Sequence, residues 1–253
     1  MSKPPDAGQT AWVSWIGSER QVANLSERDF VVTNEGREVP GVAWGPWNAS
    51  AEKVVLLGHG GTVHIKADYI RMAAIGLAGS GIASIAIDGP GHGDRPGATG
   101  ASAFTAERFA SAWNSDGGTD GIVSDWRAAL NFIEAEDGAR PAGWWGLSMG
   151  TMVGIPVVAN EPRISAAVLG LMGNWGPNAS DLMRLAPQVT CPVHYLLQLD
   201  DEVVSPDSVR TLYEAIGSSQ KSLHENAGSH AAVPITESLA TLQFLSMHLE
   251  NHA

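Results

Sequence analysis

The chain has 253 residues, 44% of them apolar and 17% charged, which is enough apolar material for a large core and too little charge for a disordered chain. Fifteen Lys and Arg against 27 Asp and Glu leave a net charge of −12, a surface that repels phosphate backbones and anionic bilayers, so neither nucleic acid nor a membrane is an expected partner. The single cysteine, Cys191, cannot close an internal disulfide, the first residues from Met1 to Asp6 contain no apolar signal segment, and the apolar stretch 73–87 is too short and glycine-broken to span a bilayer, so a cytoplasmic location is expected.

Residues 1–25 are polar and read as an N-terminal extension, with Trp12 and Trp15 as anchors onto the body of a single domain spanning 1–253. Segments 29–33 and 39–44 predict two strands joined at the turn Asn34-Glu35-Gly36. The short apolar runs 53–57 and 82–87 predict strands buried on both faces, with a helix over 67–78 between them carrying Ile70, Ala73, Ala74 and Leu77 on one stripe. Residues 94–120 are rich in small residues yet hold Phe104, Phe109 and Trp113, and predict an excursion with a short helix near 104–113. Those aromatics either form the underside of a small lid or pin the excursion to the body. Beyond it the pattern predicts helices over 124–136, 151–159, 180–185, 208–216 and 236–248, alternating with strands over 142–147, 166–171, 193–199 and 222–225. This alternation predicts an α/β fold with a mainly parallel sheet of about eight strands, helices on both faces and no large cap domain. In such sheets chemistry collects at the carboxyl ends of the strands.

One candidate nucleophile sits there. Gly146-Leu147-Ser148-Met149-Gly150 follows a predicted strand and opens a predicted helix, the context in which G-x-S-x-G forms a sharp turn that exposes a serine. With these residues the chain resembles the α/β-hydrolase superfamily from about residue 28 onward. The resemblance implies a chain order of Ser, then an acid, then His. Of the histidines following the acidic candidates, His230 lies in the flexible loop after the strand 222–225, where the family carries its base, whereas His224 lies within that strand and His248 and His252 on or past the closing helix. The acid is expected after the strand 193–199. Asp201-Glu202-Val203-Val204-Ser205 matches the family spacing, with Asp200 as the reserve and Glu202 a poorer fit.

The resemblance further implies an oxyanion hole built from the amide of Met149, which follows the nucleophile, and from the loop Gly58-His59-Gly60-Gly61-Thr62, where Gly61 is the expected donor and Thr62 the alternative. His59, Thr62 and Trp175 are the expected substrate-binding residues, His59 also being a candidate brace for its own loop. Asp88-Gly89-Pro90-Gly91-His92-Gly93-Asp94-Arg95 resembles a family turn that shapes the edge of the site. That turn and the modest lid are similar to the dienelactone-hydrolase-like branch, although the namesake of that branch uses cysteine where this chain has Ser148. His59, His64 and His92 lack ligand spacing, and no P-loop or dinucleotide fingerprint occurs, so neither a catalytic metal nor a cofactor is expected.

Together these features predict a serine hydrolase acting on small to medium carboxylic esters through Ser148, His230 and Asp201. The same triad also serves amide hydrolysis, perhydrolysis or lyase chemistry, and the fold also serves ligand receptors that do not turn over. The oligomeric state is left open.

Overall fold

The computed structural model describes residues 11–23, 25–45, 52–98 and 105–249. Strands β1 (Ala11–Val22), β2 (Leu25–Asn34), β3 (Arg37–Trp44) and β4 (Lys53–Gly58) are followed by α1 (Asp68–Ala78), β5 (Ile82–Ile87), α2 (Ala106–Ser115) and α3 (Gly118–Asp137). Then come β6 (Ala142–Gly146), α4 (Met149–Asn160), β7 (Ile164–Gly170), α5 (Ala179–Leu185), β8 (Val193–Gln198), α6 (Pro206–Ala215), β9 (Lys221–Asn226) and α7 (Ile235–His248). The strands form one sheet in the order β1-β2-β3-β5-β4-β6-β7-β8-β9, antiparallel from β1 to β5 and parallel from β5 to β9.

The period-two geometry of a strand divides the core into two layers. Val54 and Leu56 of β4 face one apolar cluster, with Leu130 and Ile133 of α3, Met152 and Val153 of α4, Leu182 of α5 and Val209 of α6. Val55 and Leu57 face the other, with Ile70 and Leu77 of α1 and Leu245 of α7. Helix α4 is buried from Met149 to Val158, as expected of a helix that is apolar all round.

Two expectations change. The sheet has nine strands among the described residues, because residues 11–22 are not an extension but the edge strand β1, paired with β2 from Ala11↔Asn34 to Val22↔Leu25. Its alternation is weak because only one face meets the body, and a register shift between Ile16 and Arg20 interrupts it. Trp15 is the anchor, packed edge-on against Phe30 and Phe132 with its Nε1–H donating to Glu136, while Trp12 lies exposed. Helix α3 also begins six residues earlier than the apolar pattern suggested, since its first turn, Gly118–Gly121, offers few large side chains to mark it.

Within the 94–120 excursion, Phe104 lies outside the described residues, but Phe109 and Trp113 are buried in the core beneath α2, at 7% and 2% exposure. They pin α2 to the body. Beside them Asp125, wholly buried, receives Arg95 Nη2 at 2.7 Å, Arg37 Nη2 at 3.0 Å and Asn34 Nδ2 at 2.8 Å, and Arg95 Nε meets Asp116 at 2.7 Å. A buried carboxylate persists only when it is paired in this way. Trp113→Ala is therefore expected to cost about 3–5 kcal/mol in denaturant unfolding, as for other buried large-to-small changes. A merely lid-forming side chain would leave the unfolding free energy nearly unchanged.

Candidate active site

The turn between β6 and α4 holds Ser148 at φ 57° and ψ −119°, a region that a residue with a Cβ occupies only when its surroundings impose it. Here they do. Ser148 N–H donates to Gly170 O at 2.9 Å, Gly150 N–H to Leu147 O at 2.9 Å, and Ser148 O accepts the amides of Thr151 and Met152. The Thr151 hydroxyl accepts Gly170 N–H at 2.7 Å and lies 2.9 Å from Gly146 O, joining the turn to β7. The glycines flanking the serine are sterically required: a Cβ on Gly146 would come within 2.8 Å of Gly150 O, and one on Gly150 within 2.4 Å of Gly58 O.

The structure brings Ser148, His230 and Asp201 together. Ser148 Oγ lies 2.9 Å from His230 Nε2, and His230 Nδ1 lies 2.7 Å from Asp201 Oδ2. The carboxylate accepts, so Nδ1 carries the proton and Nε2 is left to accept from the serine. The other oxygen of Asp201 accepts the amides of Val203 and Val204, both at 2.8 Å. Its side chain is 1% exposed and that of His230 16%.

The neighbours of Asp201 hold the same loop, a role the sequence reading did not assign. Asp200 Oδ2 accepts Gly228 N–H at 2.9 Å, and Asp200 N–H donates back to Gly228 O at 3.1 Å. Glu202 Oε2 accepts the backbone amide of His230 at 2.9 Å, and this bond draws its carboxyl below the usual range. The acidic run itself was the available signal, but nothing in it distinguishes three loop contacts from a solvated turn. His224 does not join the triad; its Nδ1 faces Glu237 instead.

The loop after β4 leaves the Gly61 amide unclaimed. Gly60 N–H donates to the Tyr69 hydroxyl at 2.5 Å and Thr62 N–H to His92 Nε2 at 3.1 Å, whereas Gly61 N–H has no protein acceptor among the described residues. The Met149 amide, at the first position of α4, likewise has none among them, as the geometry of a helix N-terminus requires. Thr62 is thus corrected as an oxyanion candidate, because its amide is committed to His92.

His59 is corrected as a substrate contact, since it is 2% exposed and both ring nitrogens are engaged. Nε2 accepts Gly89 N–H at 2.8 Å, so Nδ1 carries the proton and donates to Gly60 O at 2.8 Å. His92 mirrors it, accepting Thr62 N–H and donating from Nδ1 to Pro90 O at 2.8 Å. Each imidazole braces its own loop and accepts an amide from the other, locking the loops after β4 and β5 together. Burial pushes both below the ordinary histidine value, His59 to about 3. Trp175 is placed in the loop after β7, 43% exposed, where the next residue, Gly176, packs on Met152 of α4.

A family model described as serine aminopeptidase, S33, matches residues 49–171. A cold-adapted esterase from an Arctic intertidal metagenomic library, solved with bound polyethylene glycol, is 52% identical with a TM-score of 0.87 over 94% of this chain and 100% of that one. A zinc-bound structure of a cold-adapted esterase from an Arctic intertidal metagenomic library is 49% identical, with a TM-score of 0.82 over the same shares. Acetyl xylan esterase 1 from Thermoanaerobacterium, at 18% identity and a TM-score of 0.72 over 94% of this chain and 88% of that one, shares the fold. No curated protein matches the chain in sequence. The chain belongs to the esterases of the α/β-hydrolase superfamily and is a hydrolase. No helix among the described residues is long and apolar enough to cross a membrane.

The paired histidines make a pH prediction. An unfolded chain protonates His59 near an ordinary pKa of about 6.5, whereas the fold resists until about 3. Between those values the unfolded state binds more protons, so the stability contributed by His59 is complete above the window and is lost as pH falls through it. His59→Gln is expected to lower unfolding free energy by about 1–3 kcal/mol at neutral pH. The gap to wild type should narrow as unfolding curves are repeated at falling pH, and a constant gap would count against the neutral brace.

Proposed function

We propose that the chain hydrolyses carboxylic esters of small to medium size through a covalent acyl-enzyme on Ser148. The observation that carries this reading is the continuous relay from Ser148 Oγ through both nitrogens of His230 to Asp201, built on a strained turn. A serine hydroxyl becomes nucleophilic when a base accepts its proton as it attacks, and His230 Nε2 is in position to do so. Asp201 holds the imidazole tautomer and stabilises the imidazolium without taking the proton. Two amides are free to receive the developing oxyanion, those of Met149 and Gly61. His230 then protonates the departing alcohol, and water, activated by the same imidazole, releases the acid.

Asp200 and Glu202 act as positioning residues, since both hold the loop that carries the base. The exposed apolar side chains Trp175, Leu199 and Val203, on the loops after β7 and β8, offer an apolar rim to the non-reacting parts of an ester. The close relatives named as esterases favour ester bonds over the other chemistries that a serine triad supports.

Two experiments test the reading. Hydrolysis of p-nitrophenyl esters of graded chain length should fall by about 10⁴-fold or more in Ser148→Ala. Retention of wild-type turnover would end the serine mechanism. At Gly61, a Cβ would meet open space, so Gly61→Ala, which keeps the amide, is expected to stay near wild type. Gly61→Pro removes the donor and should lower kcat by about 10²–10³-fold with little change in KM. Equal activity of the two variants would exclude this amide from the oxyanion hole.

A further inference from the structure

A second cluster of chemically able side chains lies at the edge of the sheet, outside the proposed triad. His194 on β8 and His224 on β9 share a face of the sheet, since Leu196, two residues beyond His194, is the register partner of His224. Their rings stack at 3.7 Å with 23° between planes. Glu237, in the first turn of α7, places Oε1 2.6 Å from His194 Nε2 and 3.2 Å from His224 Nδ1. The three ligand atoms all lie within 4.8 Å of one another.

The second coordination partner is also present. Ser222 Oγ sits 3.0 Å from His224 Nε2. The hydroxyl can donate to or accept from Nε2, so it holds the ring in either tautomer with Nδ1 facing Glu237 Oε1. Side-chain exposures of 5% for His194, 13% for Glu237 and 34% for His224 give two sheltered ligands and a third at the mouth, an entry path from solvent. Two imidazoles and one carboxylate are a zinc-type ligand set, and they disfavour magnesium and calcium, which take oxygen ligands.

We propose that His194 Nε2, His224 Nδ1 and Glu237 Oε1 bind one zinc-class divalent ion, with solvent completing the coordination. Zinc–nitrogen distances of about 2.0–2.1 Å require Glu237 Oε1 to draw back from His194 Nε2 and the two stacked rings to splay, with the half-exposed His224 turning its Nδ1 toward the ion. The ion would lie at the base of the His230 loop. His224 precedes that loop and Glu237 follows it, while Gln198 Nε2 already holds its interior through Ser229 O at 3.3 Å and Ala232 O at 3.0 Å. Occupancy therefore clamps both ends of the segment carrying the imidazole. Binding is independent of the proposed ester hydrolysis; only an effect on turnover rests on that reading.

The test is calorimetric titration of the full chain with Zn²⁺ at neutral pH, with Co²⁺ absorption as a second readout and no substrate present. Wild type should bind one ion per chain, its Tm should rise with metal concentration, and amide exchange across residues 226–234 should slow. His224→Gln and Glu237→Gln should each weaken binding by more than the ~10–100-fold typical of losing an outer partner of a ligand. His230→Gln should bind as wild type does. Absence of saturable binding, equal binding by wild type and both ligand variants, or loss of binding in His230→Gln would overturn the site. Binding that leaves exchange in the loop unchanged would overturn the clamp. Failure of the triad reading would show separately, as ester hydrolysis by Ser148→Ala.

Discussion

The dimensions of the site are set by one contact between backbones. At the end of β4 the Gly58 carbonyl and at the start of α4 the Gly150 α-carbon approach so closely that Gly150 has no room for a side chain, and the Trp144 ring closes the space at Gly58 as well. The loop that follows β4 and the turn that follows β6 are thereby held against each other without any side chain to adjust the gap. Glycine costs backbone entropy in such places, and that cost is accepted because no other residue permits the approach. The strained conformation of Ser148 depends on the same contact, together with the hydrogen bonds to Gly170 and within the first turn of α4. Strain persists only where the surroundings leave no alternative.

Around this contact the polar groups are arranged so that few buried donors or acceptors go unanswered. The two imidazoles after β4 and β5 exchange amide bonds, and the Gly61 amide between the committed Gly60 and Thr62 stays without an acceptor among the described residues. That amide is available because its neighbours are occupied. On the opposite side, Asp201 spends one oxygen on His230 and the other on two backbone amides, so a nearly buried carboxylate is satisfied and its orientation is fixed. Rigidity on both sides suits a site whose donors must be in place before charge develops.

Much of this was legible in the sequence. Continuous apolar runs marked β4 and β5, because a strand buried on both faces needs no polar alternation. The nucleophile turn was legible because sterics demand glycines at fixed distances from Ser148. Asp201 and His230 could be ordered along the chain but not placed in space by residues alone; the topology does that, by setting β8 beside β9. What was missed is equally specific. Strand β1 was hidden because an edge strand with one solvated face and a register shift has a weak pattern. The roles of Asp200 and Glu202 were hidden because an acidic run looks the same whether it meets water or backbone amides. His59 was legible as a brace of its loop but also read as a substrate contact, because its burial is a property of the folded loops, and the grouping of His194, His224 and Glu237 exists only after three separate elements pack.

The run Asp200-Asp201-Glu202 carries a last consequence. Three adjacent carboxylates address three different atoms of one distant loop, at Gly228 N, His230 Nδ1 and His230 N. What this stretch must preserve is therefore its count as well as the carboxylate of Asp201. Exchanging Asp200 or Glu202 for its amide disturbs one side-chain attachment, but adding or deleting one residue slides every attachment onto the wrong anchor at once. Sequence drift at the two flanking positions is free to change letters far sooner than the stretch can change length.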